Sequence, residues 1–221
     1  MKVVIIPARG GSSRVKSKNI KKFFNKPIIR LTYDIIKKAN IFDKIVLTSD
    51  SEKVINKCEN FGFDEIIKRP QELGYDDVGI EEVINHSIEV LDKKFVIKSI
   101  CCIFPCSPLL KKETIIKAYS ILKNKKDFVF TVTSYPAPIE KAMKIKSNRL
   151  TPLFPRMLKY PSKDFEDQYF DIGQLYLGTK ISWKIKNKNL KGIVLPKYSS
   201  VDINDQKDWD FAKILYKKMK N

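Results

Sequence analysis

Apolar runs rich in β-branched residues alternate with segments of helical periodicity along the first part of this 221-residue chain. The runs from Val3 to Ile6 and from Ile45 to Leu47 show no polar alternation, which is typical of strands buried on both faces of a parallel sheet. Between them, apolar residues recur every three or four positions from Ile28 to Ala39, as on one face of an amphipathic helix. The alternation predicts an α/β, Rossmann-like fold with a mainly parallel (mixed) sheet and ligands beyond the carboxyl ends of its strands.

The same pattern continues along the chain and changes character after Thr133. Five prolines punctuate a polar stretch there, so residues from about 135 to 168 are expected to form a small arm or lid, or a contact surface for a second subunit. Because single domains reach roughly 250 residues before they divide, we expect one domain over residues 1–221. The other predicted elements are helices over 51–61, 80–93, 112–123 and 206–218, and strands over 64–68, 99–104 and 128–132 and near 169–178 and 192–195.

Composition and charge narrow the class of protein. The chain is 43% hydrophobic and 31% charged, and its apolar runs fall short of the roughly 20 residues of a membrane span, so we expect a cytoplasmic protein without a membrane partner. Its net charge of +18 attracts nucleic acids and small anions alike. The lysines are scattered and no nucleic-acid-binding motif is recognisable, so nucleic acid is not an expected partner. Four cysteines without CxxC spacing and one histidine exclude a Cys/His zinc set.

The loop that leaves the first strand has the composition of a phosphate cradle. Its glycines let backbone N–H groups approach an anion, and its cations offer charge-assisted hydrogen bonds to phosphate oxygens. Neither GxxxxGK[ST] nor GxGxxG is present, which excludes the two commonest phosphate-binding motifs. A solvated basic turn is the alternative, but the position after the first parallel strand favours ligand binding. The glycines are Gly10 and Gly11, and the cations are Arg9, Arg14, Lys16 and Lys18.

Several sequence blocks resemble the cytidylyltransferases that activate nine-carbon acidic sugars as CMP conjugates. The most specific block runs from Ile6 to Ser12 and is followed by Lys18-Asn19. Each block alone is weak evidence of resemblance, but their occurrence in the same order along nearly the whole chain is specific to the family. The other blocks are Phe42 to Val46 with Ser49-Asp50, Arg69 to Leu73, Glu82 to His86, Cys101 to Pro105, Asp171 to Tyr176, and Val201 to Asn204 before Asp208-Trp209.

The resemblance implies a nucleotidyltransferase domain, usually a homodimer, that binds CTP and an acidic nine-carbon sugar. The anomeric hydroxyl of the sugar would attack the α-phosphorus and expel pyrophosphate, a reaction that needs positioning and charge neutralisation more than a covalent nucleophile. Arg9 and Lys18 match the positions that contact the triphosphate. Asn19 lies near the base or ribose, or ties the loop to the following helix. The other implied nucleotide-binding residues are Ala8, Gly10, Gly11, Ser12, Ser13, Arg14 and Arg69.

The resemblance also implies Mg²⁺ as the cofactor, held by a carboxylate pair near the carboxyl end. That pair reads Asp202-Ile203-Asn204 here, so Asp202 is retained as a metal-binding and catalytic residue beside Arg9 and Lys18. Asn204 would bind the ion only through a neutral carbonyl. Asp205 either takes over the lost charge or caps the last helix.

A further departure from the family lies in the loop after the first strand. Lysine usually precedes the arginine at position 14, whereas this chain has Ser13, and Lys16 would replace the missing phosphate contact. A catalytically weak paralogue is one hypothesis that follows from these departures. It predicts that Asn204→Asp together with Ser13→Lys raises the rate by orders of magnitude.

The expected sugar site lies on the segment from Asp171 to Tyr176. By resemblance, Asp171 and Gln174 face the sugar with Tyr176, since a carboxylate and an amide suit hydroxyl and N-acyl groups. An aromatic residue, Phe104, stands where sialic acid enzymes carry glutamine, which favours a deoxygenated sugar face and hence pseudaminic acid. Legionaminic acid, sialic acid and Kdo remain open as alternative acceptors.

Overall fold

The computed structural model describes residues 1–12 and 14–220. At the centre of the fold, strand β1 (Lys2–Pro7) lies between β4 (Lys44–Ser49) and β6 (Ser99–Ile103) and runs parallel to both. Residues Val3 to Ile6 have no exposed surface, as expected for a strand covered on both faces.

One further strand completes one side of this parallel centre, and three complete the other. On one side β5 (Glu65–Lys68) pairs parallel with β4. On the other, β10 (Tyr169–Thr179) lies antiparallel between β6 and β7 (Asp127–Ser134), and β11 (Asn189–Val194) pairs parallel with β7. The seven-stranded order is β11-β7-β10-β6-β1-β4-β5, so the predicted α/β fold with a mainly parallel, mixed sheet is confirmed.

Helices cover both faces of this sheet. Apolar side chains of α1 (Ile28–Ala39), α2 (Glu52–Cys58) and α4 (Lys112–Ile121) share one buried cluster with β1, β4 and β6. Side chains of α3 (Ile80–Asp92) and α5 (Lys180–Lys184) share a second cluster with the opposite face. The alternating faces of β1 explain this division, because successive side chains point to opposite sides of a strand.

A third, smaller cluster joins the end of the chain to the loop after β1. Helix α6 (Gln206–Lys220) packs Trp209 against Phe23 of the short hairpin formed by β2 (Lys22–Phe23) and β3 (Lys26–Pro27). Val15 is buried in the same cluster. The carboxyl-terminal helix therefore anchors the loop that was predicted to bind phosphate.

The proline-rich stretch between β7 and β10 carries a hairpin of its own. Strands β8 (Met143–Lys146) and β9 (Arg149–Pro152) pair with each other in a separate two-stranded sheet. Ser147 and Asn148 connect them with positive φ angles of 47° and 62°, which is the geometry of a tight type I′ turn. Within residues 1–12 and 14–220, no helix combines the length and the apolar character needed to cross a membrane.

Candidate active site

A cavity of about 420 Å³ opens at the carboxyl ends of the parallel strands. The loops after β1, β5 and β6 contribute to it, together with the middle of β10 and the segment before α6. This is the position that parallel α/β sheets commonly use for ligands. Its lining includes Arg9, Ser12, Lys18, Asn19, Arg69, Asp76, Phe104, Cys106, Gly173, Tyr176, Asp202 and Asn204.

A neighbouring cavity of about 270 Å³ extends the site along the cationic loop. It shares Arg9, Lys18 and Asn204 with the first cavity and adds Arg14. Three of the four cations expected in the loop therefore surround one continuous depression. Lys16 is exposed and lies outside both linings, and Ser13 lies outside the described residues.

The backbone of the loop after β1 is held against β4. The Gly10 N–H donates to Asp50 Oδ2 at 3.3 Å, and the Ser12 N–H donates to the Gly10 carbonyl. A Cβ on Gly10 would lie 2.6 Å from the Cβ of Ser51, so this close approach requires glycine. A Cβ on Gly11 would meet no atom within 4 Å. Only Gly10 is thus needed for the backbone approach.

Asn19 ties this loop to the turn after β6. Its side chain is 5% exposed, its Nδ2 donates to the Arg9 carbonyl at 2.8 Å, and its Oδ1 accepts the Cys106 thiol at 3.3 Å. Burial raises the pKa of Cys106 to about 12, so the group remains a thiol that can donate. The sequence left open a tie from Asn19 to the following helix, but the side chain instead bonds the loop itself and the turn after β6. Cys106 was missed, because nothing in its spacing distinguishes it from the buried cysteines.

The loop's cations donate to acceptors of this chain. Arg9 forms an ion pair with Asp76, and Lys18 donates to the carbonyl of Ile203. Arg14 Nη2 donates to Asn204 Oδ1 at 3.2 Å. These contacts hold the guanidinium and ammonium groups around the cavity, where an anionic ligand would meet all three.

Arg69 lies at the back of the cavity in a buried ion pair. Its side chain is 3% exposed, and Nη2 lies 2.9 Å from Asp50 Oδ1, while Nη1 donates to the Thr48 carbonyl at 3.3 Å. Burial lowers the pKa of Arg69, the Asp50 carboxylate opposes that shift, and the nearby charge of Arg9 adds to it. Asp50 was part of a matching block but had no predicted role, although an acid directly after a buried parallel strand was a usable signal.

The residues expected to bind the sugar divide into those that line the cavity and those that lie outside its lining. Phe104 and Tyr176 line the cavity with their rings edge to face, 5.8 Å apart. The Tyr176 hydroxyl donates to Asp171 Oδ2 at 2.6 Å, and burial followed by this bond raises the pKa of Tyr176 well above its usual value. Asp171 thus reaches the site through Tyr176. Gln174 is 2% exposed and outside the lining, and its Nε2 has no partner among the described residues.

An irregularity in β10 creates this arrangement. The register with β7 shifts between Asp171 and Tyr176, and Gly173 there has a φ of +63°, which a residue with a side chain rarely adopts. The Gly173 N–H donates to Asp171 Oδ1 at 2.8 Å. The bulge turns Tyr176 and Asp171 toward each other.

The expected metal residues lie together before α6. Asp202 and Asn204 both line the cavity, and Asn204 Nδ2 donates to Asp202 Oδ2 at 2.7 Å. Asp205 Oδ1 instead accepts the N–H groups of Lys207 and Asp208, so Asp205 caps the helix and lies outside the lining. Those backbone bonds, led by the Asp208 N–H, lower its pKa. The sequence left two roles open for Asp205, metal binding and helix capping, and in the structure Asp205 caps the helix.

The donor set at this position fits Mg²⁺ bound chiefly by phosphates. Within residues 1–12 and 14–220, no cluster of three or more histidine, cysteine, aspartate or glutamate side chains could hold a metal ion. Mg²⁺ usually takes one or two protein carboxylates and fills its other positions with waters and substrate phosphates. Asp202 supplies one carboxylate beside the cationic loop.

Comparison with known proteins agrees with the fold. The family model described as cytidylyltransferase matches residues 3–177. The pseudaminic acid cytidylyltransferase of Campylobacter jejuni is 34% identical over 220 residues, which cover 96% of this chain and 95% of the relative. The N-acylneuraminate cytidylyltransferase of Escherichia coli is 25% identical, with 95% of this chain and 51% of that protein covered.

A solved structure supports the same fold. The CMP:2-keto-3-deoxy-manno-octonic acid synthetase complexed with CTP superposes with a TM-score of 0.71, covering 99% of both chains at 14% identity. At that identity the likeness concerns the fold alone. The family match and the full-length relative show that the chain belongs to the cytidylyltransferase family.

Proposed function

We propose that this chain transfers CMP from CTP to pseudaminic acid and releases pyrophosphate. The observation that carries the proposal is its 34% identity, over nearly its whole length, with enzymes named for that sugar. The cavity supports it, since cations surround one end of the depression and an aromatic pair, Phe104 and Tyr176, lines the other.

The cationic end suits the triphosphate. In the proposed reaction the anomeric hydroxyl gives its proton to water as its oxygen bonds to the α-phosphorus, the bond from that phosphorus to the α,β-bridging oxygen breaks, and pyrophosphate carries away the electron pair. Negative charge then grows on the leaving group. Arg9, Arg14 and Lys18 surround the depression where that charge would develop, so they would stabilise the transition state electrostatically.

Asn19 and Arg69 would act on the nucleotide in different ways. Because both polar ends of the Asn19 amide are engaged within the chain, Asn19 would preserve the shape of the loop instead of reading the base. Arg69 is buried against Asp50 and lines the cavity, so it would offer a fixed guanidinium to the ligand.

We propose Mg²⁺ as the cofactor. Asp202 would bind it through a carboxylate oxygen, and when bound it would neutralise phosphate charge. Asn204 would contribute only after its amide turned, because its Nδ2 now faces Asp202 and its Oδ1 accepts Arg14. Turning the amide would point its N–H₂ group at the Arg14 donor, so Asp202 is the stronger ligand of the two.

The aromatic end suits the sugar proposed here. Phe104 and Tyr176 offer apolar ring surface to a deoxygenated sugar face, and the Asp171 carboxylate beside Tyr176 can accept from an N–H or O–H group. The raised pKa of Tyr176 keeps its phenol protonated at neutral pH, so the bond to Asp171 persists there. Polar acceptors with more hydroxyl groups would leave hydrogen-bonding groups facing an aromatic wall.

We also propose that the chain acts as a homodimer in the cytoplasm, with residues of about 135–168 as the contact arm. CTP is a cytoplasmic nucleotide, which supports the location. The arm exposes large apolar side chains, a feature typical of surfaces that another protein covers. They include Met143, Ile145, Leu150, Leu153, Phe154 and Met157.

Acceptor choice tests the proposed function. Pyrophosphate release is measured with CTP, Mg²⁺ and each of pseudaminic, legionaminic and sialic acids and Kdo, with UTP and ATP replacing CTP as controls. We expect kcat/KM for pseudaminic acid to exceed the others by about tenfold or more, the discrimination that a pocket of this kind provides. Turnover with another acid but none with pseudaminic acid would refute the proposal.

A further inference from the structure

We infer that Asp50 is a positioning residue of the nucleotide site, an inference that rests on the proposed function. Asp50 follows the carboxyl end of β4, and its two carboxylate oxygens bind different segments. Oδ1 accepts Arg69 Nη2 at 2.9 Å, and Oδ2 accepts the Gly10 N–H at 3.3 Å. The Asp50 side chain is 11% exposed. One acid thus joins the buried arginine to the loop after β1.

A third segment packs against the same carboxylate. A Cβ on Gly74 would lie 2.7 Å from Asp50 Cγ, so glycine is needed there for space. Gln71 Nε2 donates to the Asp50 main-chain carbonyl at 3.3 Å. The turn from Gln71 to Gly74 leads into the segment that supplies Tyr75 and Asp76 to the cavity. Asp50 is therefore the common contact of three walls of the site.

The charge of Asp50 opposes nucleotide binding unless it is neutralised. A carboxylate next to a triphosphate site repels the ligand, and the Arg69 guanidinium, whose Nη2 lies 2.9 Å from Asp50 Oδ1, offsets that repulsion. Arg69 Nη1 donates to the Thr48 carbonyl and Nη2 donates to Asp50 Oδ1, and its Nε has no partner among the described residues. Asp50 and the Thr48 carbonyl therefore fix the orientation of the guanidinium at the cavity wall.

Two substitutions at Asp50 test this role. Asp50→Ala removes both bonds, and Asp50→Asn keeps one carbonyl for Arg69 while placing an amide N–H₂ against the Gly10 N–H. We expect the Kd for CTP, measured by calorimetry with MgCl₂ and without sugar, to rise by about tenfold to a hundredfold in Asp50→Ala and by less in Asp50→Asn. The KM for CTP should rise in parallel, with the KM for the sugar nearly unchanged.

Asp64, directly before β5, provides a matched control because it contacts the opposite, amino end of β4. Its Oδ2 accepts the Ile45 N–H at 2.8 Å and its Oδ1 lies 3.6 Å from Lys44 Nζ, so it also joins a backbone N–H to a cation. Asp64→Asn should lower the melting temperature without changing CTP affinity. If Asp50 had a purely structural role, Asp50→Ala would likewise lower the melting temperature and leave CTP affinity unchanged.

The outcomes separate the inference from the function on which it rests. An unchanged or tighter Kd for CTP in Asp50→Ala, or equal rises in the KM of both substrates, would overturn the positioning role. If Asp50→Ala does not fold, Asp50→Asn decides by the same criteria. A wild-type chain that binds no CTP would overturn the proposed function and this inference together, whereas wild-type binding with unaffected variants would overturn the inference alone.

Discussion

At the scale of single residues, the cations of the site differ in the acceptor that a bound phosphate would have to replace. Lys18 and Arg14 donate to neutral oxygens of Ile203 and Asn204, whereas Arg9 is paired with the carboxylate of Asp76. A phosphate replaces a neutral acceptor more readily than a charged one, because the charged pair has the larger electrostatic energy. Asp76 thus competes with the triphosphate for Arg9.

Replacing Asp76 should strengthen nucleotide binding. The pair is solvent-exposed, with the two side chains 38% and 77% exposed, so it contributes at most about 1 kcal/mol. Asp76→Asn should therefore lower the KM for CTP by about twofold to fivefold, and the effect should shrink at high ionic strength. The exposed neighbour Asp77, changed to asparagine, is the control and should leave the KM unchanged. A raised KM in Asp76→Asn would show that Asp76 assists the nucleotide.

Restoring a second carboxylate should change the response to metal. Asp202 and Asn204 are joined by a 2.7 Å hydrogen bond that Asn204→Asp would replace with repulsion between two carboxylates. A divalent cation relieves that repulsion. We expect the variant to need several-fold less Mg²⁺ for half-maximal activity, and Mg²⁺ to raise its melting temperature more than that of the wild type. Equal responses in the two proteins would place the ion elsewhere.

At the scale of elements, the sequence predicted what depends on local pattern and missed what depends on contacts between distant segments. The buried runs, helix α1 and the start of α6 follow from periodicity and capping signals, and they lie close to their predicted bounds. The bulge in β10 was not predicted, because it depends on pairing with β7. The helix predicted over 51–61 ends at Cys58 and continues as a 3₁₀ turn, Glu59–Phe61.

The candidate site shows the same division. The cationic loop could be placed from sequence because parallel strands bring their carboxyl ends to one edge. Phe104 and Tyr176 were expected there only by resemblance, since Tyr176 lies on the antiparallel strand β10. The contacts of Asp76, Asp50 and Cys106 with Arg9, Gly10 and Asn19 could not be predicted, since they join residues far apart in the chain.

Asp127 links the start of β7 to the edge strand β11, and its ionisation should make stability depend on pH. The carboxylate is fully buried and accepts Lys191 Nζ at 2.8 Å and the N–H groups of Lys123 and Asn124. Burial alone raises its pKa, but Lys191, the two N–H groups and the Asn189 amide outweigh it and lower the pKa below its usual value. The stabilisation is present above the unfolded pKa of about 4 and is lost as pH falls toward the folded pKa.

Asp127→Asn should therefore destabilise the protein at neutral pH more than in acid. We expect a loss of about 3 kcal/mol in the free energy of unfolding near neutrality, since the change leaves Lys191 without its charged partner. The difference from wild type should narrow below about pH 4. Urea unfolding of the variant and the wild type at several pH values measures the loss near neutrality and its decrease in acid. A difference that stays constant with pH would mean that the carboxylate charge contributes nothing.

At the scale of the whole molecule, two surface properties concern association. The net charge of +18 raises the local concentration of polyanions such as CTP, so substrate affinity should weaken with salt. The arm presents a different surface. On its hairpin, Ile145 and Leu150 are directly paired and are 68% and 61% exposed, which is a large apolar surface for two neighbouring residues.

Charging that pair should prevent self-association. Ile145→Asp with Leu150→Asp places two charges on the surface that we propose a second copy covers, where a charge without a partner is strongly unfavourable. We expect sedimentation to give a dimer for the wild type and a monomer for the variant, with unchanged circular dichroism. Thr151→Asp, on the opposite face of the hairpin, is the control and should remain dimeric. A wild type that is monomeric at micromolar concentration would contradict the dimer.

The most direct test of the proposed activity is a ³¹P NMR time course with CTP, Mg²⁺ and pseudaminic acid. We expect the three CTP resonances to decline together while pyrophosphate and one phosphodiester product form in equal molar amounts, only when the sugar is present. Unchanged CTP with pseudaminic acid, alongside its consumption with Kdo or sialic acid, would contradict the account.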